Sequence, residues 1–243
     1  MFVDVHSHVI PSGDDGVSSV SEGLDLCRQA AERGTSVLFG TPHVWPHDPM
    51  TPGREEAVRA SHAAMAPQAA EFGLDLRVGF ELTPATPLLE HDPHRYRLGD
   101  LPAVLMELPF AGPLGLAERL AEHIEAAELT PVIAHPERAD AILDDPARAE
   151  ALAERGWLLQ VNATSLLGYH GDDREALAWW LVERGLVAIV ASDGHRQARP
   201  PFLDDAHRAA RERLGDEAAD ALFDGSRLPR LAAADAVDLA KRR

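Results

Sequence analysis

Phe2-Val3-Asp4-Val5-His6-Ser7-His8 opens the chain with a short β-branched, apolar run that ends on two histidines. A run of this length and composition reads as a strand buried on both faces. Six more follow, at 36–40, 75–81, 103–108, 131–135, 157–162 and 186–192. Between them lie Ala-, Glu- and Arg-rich stretches with helical spacing. Val20, Leu24, Cys27 and Ala31 stand at i, i+4, i+7 and i+11, and Gly34 follows as a stop. Leu116, Leu120, Ile124 and Ala127 share one face of 114–129, and the stretches 145–155 and 172–184 each run into a glycine, Gly156 and Gly185. Seven strand–helix units without a composition break predict one domain over 1–243, a parallel sheet covered by helices. A closed barrel and an open doubly wound sheet both satisfy this string. The tail after Leu228 is patterned only well enough for a possible final helix.

Each strand delivers a metal-type side chain at its C-terminal end. His6 and His8 close the first, with Asp14 and Asp15 in the loop beyond. His43 follows the second, Glu81 closes the third and Glu107 the fourth. His135 closes the fifth and Asn162 the sixth, while Asp193 and His195 follow the seventh. In a parallel barrel those ends share the face on which βα loops build active sites. Five of the twelve histidines fall at these positions. His47, His62, His91, His94, His123, His170 and His207 lie in loops or helices and read as ordinary polar residues. His6 and His8, two apart on an extended segment, point the same way, and alternation places Asp4 on that face too. A strand-end histidine or glutamate alone is more often a satisfied hydrogen-bonding residue than a ligand. The repetition on separate units is what points to metal. Imidazole and carboxylate without thiolate suit Zn, Mn, Fe or Mg, and nine candidates suit two or three ions with shared carboxylates.

Composition removes other classes. The chain carries 40 acidic and 23 basic residues, a formal charge of −17, so nucleic acid and anionic membranes are poor partners. Lys241-Arg242-Arg243 is too short a basic run to change that. No apolar stretch approaches the ~18 residues of a spanning helix, and the N-terminus lacks a secretory pattern. One cysteine excludes an intrachain disulfide framework and a Cys-rich zinc site. The expectation is a cytoplasmic protein.

Asp4-Val-His-Ser-His8, Asp14-Asp-Gly16, Thr41-Pro-His43, Gly79-Phe-Glu81, Ala134-His-Pro-Glu-Arg138, Gln160-Val-Asn162 and Ala191-Ser-Asp-Gly-His195 resemble the PHP (polymerase and histidinol phosphatase) superfamily. Within it, Asp-Asp-Gly, His-Pro-Glu-Arg and Arg199-Pro200-Pro201 are similar to the bacterial manganese-dependent protein-tyrosine phosphatases of capsule and exopolysaccharide operons. The resemblance runs from about Phe2 to Pro201 and implies a distorted TIM-like barrel of seven (β/α) units. It also implies three divalent ions, Mn by analogy, with Fe, Zn or Mg accepted by the same donors. His6, His8, Glu81 and Asp193 would hold one ion; a bridging Glu81, Glu107 and His135 a second; Asp15, His43 and His195 the third. Arg138 and Arg199 match arginines that contact the substrate phosphate. Gly194 departs from the pattern, since related chains often carry a larger residue there.

The implied chemistry is hydrolysis of a phosphotyrosine protein by metal-activated water, in line and without a phosphoenzyme. The implied partner is a membrane tyrosine autokinase with a phosphorylated tyrosine-rich tail. A histidinol-phosphate or sugar-phosphate phosphatase would use the same ligands, and a catalytically silent metal-binding module is the alternative from another class. A PHP nuclease is disfavoured by the charge. An amidohydrolase lacks its strand-end lysine and its eighth strand.

Cys27-Arg-Gln-Ala-Ala-Glu-Arg33 satisfies C-x5-R, the signature of cysteine-dependent tyrosine phosphatases. The segment has no glycine to cradle phosphate and sits mid-helix on the apolar face, which predicts core packing. Trp45, Pro46 and Met50, on a long loop after His43, could flank an aromatic substrate. Trp157, Trp179 and Trp180 read as structural.

Overall fold

The computed structural model describes residues 1–229. The possible final helix and the basic Lys241–Arg243 end lie outside them. Strands β1 (Phe2–Ser7), β2 (Thr35–Gly40), β3 (His43–Val44), β4 (Asp75–Val78), β5 (Glu81–Leu82), β6 (Ala103–Glu107), β7 (Thr130–Ala134), β8 (Leu158–Asn162) and β9 (Val187–Ala191) pair only in parallel. They form one sheet of order β1-β2-β4 and another of order β3-β5-β6-β7-β8-β9. β2 resumes as β3 after Thr41-Pro42, and β4 resumes as β5 after Gly79-Phe80, so the chain supplies seven strand segments in sequential order. The third expected strand is therefore broken before Glu81.

The ring closes where the chain beyond β9 meets β1. The Asp193 amide donates to the His6 carbonyl at 2.9 Å, and the His8 amide to the Gly194 carbonyl at 2.6 Å. Ser7 and Gly194 form a parallel bridge between them. The core has the two layers a barrel demands. Val3, Val5, Val37, Phe39, Leu105, Val132 and Ile189 fill the interior. Their alternates Leu38, Val104, Met106, Ile133, Leu159 and Val190 pack outward against the helices.

β1 breaks its alternation. Asp4 pairs with Leu38 and Ser7 with Gly40, so three steps on β1 oppose two on β2, a β-bulge. Val3 and Val5, two apart, share the interior face, and across the bulge His6 turns inward beside Glu81. Asp4 does not share that face as simple alternation predicts. It lies in the closing seam, where Oδ1 accepts from the backbone N–H groups of Ser192 at 3.1 Å and His6 at 3.2 Å. Complete burial pushes its carboxyl up to about 6.

Helix α1 (Val20–Glu32) carries the expected stripe inward and is capped by Ser19, whose hydroxyl accepts from the Glu22 amide. Cys27 is buried on it, and desolvation pushes its thiol up to about 12. Helix α2 (Pro52–Glu71) has no sequence counterpart above, because it buries only Val58, Met65 and Ala69 and contains Pro67. α3 (Gly115–Ala126), α5 (Ala147–Glu154) and α7 (Asp172–Glu183) fall where expected, and the short α4 (Asp140–Asp144) precedes α5. α6 (Ala163–Leu166), α8 (Asp204–Leu214) and α9 (Asp216–Phe223) complete the described helices. Trp157 and Trp179 are buried and Trp180 packs on the core. No helix among the described residues is long and apolar enough to cross a membrane.

Candidate metal centre

The strand tops bring nine side chains into one knot. His8, Asp15, His43 and His195 form one group, His6, His8 and Glu81 a second, and Glu81, Glu107 and His135 a third. Within each group, one ligand atom per residue lies within 4.8 Å of the others. Asp193 Oδ1 stands 3.5 Å from His6 Nε2 and 3.7 Å from His8 Nε2. Glu81 belongs to two groups, and so does His8.

The donor chemistry fits cations. Glu81 Oε2 is buried and makes no hydrogen bond, yet three imidazole nitrogens surround it. They are His43 Nδ1 at 3.0 Å, His6 Nε2 at 3.1 Å and His8 Nε2 at 3.3 Å. His43 Nδ1 is likewise without a hydrogen-bond partner, and the Nε2 atoms of His6 and His8 face each other at 3.3 Å. Imidazole nitrogens and carboxylate oxygens converge on shared points, an arrangement of donor atoms that suits a bound cation. Cations held there would offset the crowded negative charge of Glu81 and Asp193.

Side chains behind the knot set which nitrogen points in. Gln160 Oε1 lies 2.9 Å from His6 Nδ1, Gln160 Nε2 donates to Asn162 Oδ1 at 2.9 Å, and Asn162 Nδ2 donates to Asp193 Oδ2 at 2.8 Å. The Asp193 carboxylate can only accept, so this relay has one direction and His6 Nδ1 carries the proton. Its Nε2 lone pair then faces Glu81. Asp14 Oδ2 lies 3.3 Å from His8 Nδ1 and accepts from the His43 amide at 3.0 Å. Of the adjacent acids, Asp14 thus stands behind His8. Asp15 faces the solvent side, 58% exposed, with Oδ1 3.2 Å from His195 Nε2 and 3.6 Å from His43 Nε2. The chain passes so close here that a Cβ on Gly16 would sit 2.5 Å from the His8 carbonyl oxygen.

Electrostatics follow from the crowding. Burial opposes a charge on His8, but the Asp14 carboxylate at its Nδ1 and the negative charge of Glu81 raise it to about 10, and His6 shifts the same way beside Glu81 and Asp193. Burial likewise opposes charge on Asp14, Glu81 and Asp193, yet the histidines hold all three carboxyls well below the usual range. Glu107 goes up through burial and the neighbouring Glu81 charge, and it accepts from the Thr83 hydroxyl. His135 at φ 34° and Asp193 at φ 51° adopt left-handed backbone that non-glycine residues rarely take.

Both arginines converge on this acid. Arg138 Nη1 donates to Asp193 Oδ2 at 3.0 Å, and Arg199 Nη1 lies 3.6 Å from the same oxygen. Arg199 also covers the His195 ring, with Nη2 2.8 Å from Nε2. Gly194 has a steric reason, since a Cβ there would meet the Pro201 backbone at 2.6 Å.

Trp45 stacks on His43 with centroids 4.5 Å apart. Met50 does not flank the site; it is buried in the core. His62 pairs with the Leu76 carbonyl, His123 with that of His91 and His207 with Asp220, as ordinary polar residues do. His170 differs. Burial, then the nearby charges of Arg138 and Arg199, push its imidazole down to about 4. Phe110, absent from the sequence reading, lies under the Arg138 guanidinium at 4.7 Å. A single aromatic just past a strand end carries no signal that separates it from packing.

Fold and site together define an α/β barrel protein with a metal-binding centre. The chain belongs to the capsular polysaccharide synthesis CpsB/CapC family, whose model matches residues 2–227. It is 30% identical over 203 residues to the tyrosine-protein phosphatase YwqE of Bacillus subtilis (strain 168), covering 79% of this chain and 77% of that one. A chain from the crystal structures of YwqE from Bacillus subtilis and CpsB from Streptococcus pneumoniae, described as unique metal-dependent tyrosine phosphatases, matches with a TM-score of 0.81. That match is 28% identical and covers 90% of each chain. The lactonase Lmo2620 from Listeria monocytogenes shares the fold at a TM-score of 0.60, with 13% identity over 93% of each chain.

Proposed function

We propose that the chain is a metal-dependent tyrosine-protein phosphatase whose three residue groups each hold one divalent ion, manganese being the working metal. The observation that carries this reading is Glu81, buried and unbonded at Oε2 among three imidazoles, shared between two groups in a chain of this family. His6, His8, Glu81 and Asp193 hold one ion, Glu81, Glu107 and His135 a second, and Asp15, His43 and His195 the third. Bound ions polarise a phosphoryl oxygen and lower the pKa of water from about 15.7 toward neutrality.

The protein's own groups do the rest. Arg138 and Arg199 rest on Asp193 and turn to the phosphoryl oxygens, which a guanidinium matches in pairs. The one thiol, Cys27, is sealed in the core, so a cysteinyl phosphate is closed off and water attacks phosphorus as the aryl oxygen leaves. Phenolate is a good leaving group and needs little protonation. The substrate is a phosphotyrosine protein. In a capsular polysaccharide synthesis family, a membrane tyrosine autokinase with a tyrosine-rich tail is the partner that fits, met from the cytoplasm.

Metal-stripped protein is expected to hydrolyse neither p-nitrophenyl phosphate nor a phosphotyrosyl peptide, and Mn²⁺ titration to restore both. Metal uptake without turnover of either sinks this reading and directs attention to sugar and amino-alcohol phosphates.

A further inference from the structure

We infer that Phe110 is a specificity-determining residue, seating the aromatic ring of the leaving group so that the site favours aryl over alkyl phosphomonoesters. The inference rests on the phosphatase reading and names the residue that reads the substrate side chain. Three large hydrophobic side chains are exposed among the described residues: Met1, Phe110 at 46% and Tyr169. A single exposed aromatic carries no meaning by itself, and what gives Phe110 one is its place beside the polar centre.

The position of Phe110 decides what it contacts. Its ring lies 5.8 Å from the ring of His135, in the Glu81–Glu107 group, and the Arg138 guanidinium stacks over it at 4.7 Å. The Asp140 amide donates to its carbonyl at 2.8 Å, tying the loop to α4. A phosphoryl group gripped by Arg138 carries its ester oxygen on the next bond, and an aryl ring begins one atom further on. That brings substrate ring and Phe110 within the 4.5–7 Å at which aromatic pairs attract. Trp45, another aromatic near the centre, stacks on His43 at 4.5 Å and His47 at 5.1 Å and is less exposed than Phe110. Phe110 keeps nearly half its surface free.

A competing role is that of a platform that only steadies Arg138. The two roles separate in one set of assays. On Mn²⁺-loaded wild type, Phe110→Ala, Phe110→Leu and Phe110→Trp, kcat and KM are measured for phosphotyrosyl and phosphoseryl peptides of one sequence, with the Ki of inorganic phosphate. Phe110→Ala is expected to lower the tyrosyl-to-seryl ratio of kcat/KM by about tenfold, the worth of one aromatic pair, mainly through KM. Phe110→Leu should fall between, Phe110→Trp should keep the ratio, and the phosphate Ki should stay within twofold throughout. Equal losses on both peptides with weakened phosphate inhibition assign the platform role and overturn the inference, as does an unchanged ratio in Phe110→Ala. Wild-type protein inactive on both peptides defeats the phosphatase reading, and this inference with it.

Discussion

Gln160 presents its amide oxygen to Nδ1 of His6 at 2.9 Å, and it can present nothing else, because its NH₂ is committed to Asn162. A neutral residue on β8 therefore dictates the tautomer of His6 on β1, a proposed metal ligand. Such partners orient a ligand and raise its basicity, and losing one typically costs 10–100-fold in metal affinity. Gln160→Leu is expected to weaken Mn²⁺ binding by about that factor, whereas Gln160→Glu keeps an acceptor against Nδ1 but sets a carboxylate oxygen against Asn162 Oδ1 and should lose less than Gln160→Leu without reaching wild type. Chelator competition measures both. Wild-type affinity in Gln160→Leu would show that the ring is oriented by packing alone.

Metal uptake should release protons. In the metal-free protein His8 is raised to about 10 from an ordinary 6.5, so folding strengthens its hold on a proton. The stability from that charged contact is fully present below about 6.5 and is lost as pH rises through about 10. A metal must displace the proton, so affinity rises with pH across this window, by about tenfold per unit for one proton. Mn²⁺ added to weakly buffered protein near pH 8 should acidify the solution. No proton release would contradict a protonated His8.

Cys27→Ser should leave turnover unchanged, because the thiol lies in the outer core layer and away from the ligand knot. Putting a hydroxyl among apolar neighbours costs about 1–3 kcal/mol, visible as a lowered denaturation midpoint. Lost turnover in a folded, metal-loaded Cys27→Ser protein would reopen cysteine chemistry.

Gly194→Ala tests the crowded closing turn. The added methyl carbon would lie 2.6 Å from Pro201 Cα and 2.7 Å from its nitrogen, so backbone must move. Overpacking of this kind costs about 1–3 kcal/mol. Because Asp193 and His195 flank the glycine, Mn²⁺ affinity should fall along with thermal stability. A loss of stability with intact affinity would show that the shift is absorbed toward Pro201.

The strand ends were legible because each run stops on a side chain that a core would not choose, and His6, Glu107 and His135 needed no more than that. The β1 bulge is hidden, since an extra residue in a strand leaves composition unchanged, and alternation alone puts Asp4 on a face it does not take. Helix α2 escaped because a thin stripe of Val58, Met65 and Ala69 looks like a loop to periodicity. The partnership of Asp14 with His8 depends on a turn that lets Gly16 pass against the His8 backbone. Phe110 and His170 gained meaning only from Arg138 and Arg199, which lie elsewhere in the chain and meet them in space.

The seam that Asp4 occupies also sets the timing of assembly. Its bond to the Ser192 amide spans 188 positions, and the neighbouring closures use the backbone of His6, His8, Asp193 and Gly194. Contacts so distant along the chain form late and slow the search for the native state. β1 must therefore wait for β9, and a partly folded intermediate lacking β9 has neither Asp193 nor His195 in place beside His6 and His8. The group of Glu81, Glu107 and His135 needs nothing from that seam, so topology delays completion of the knot at Asp193 and His195 and leaves its first part free to form early.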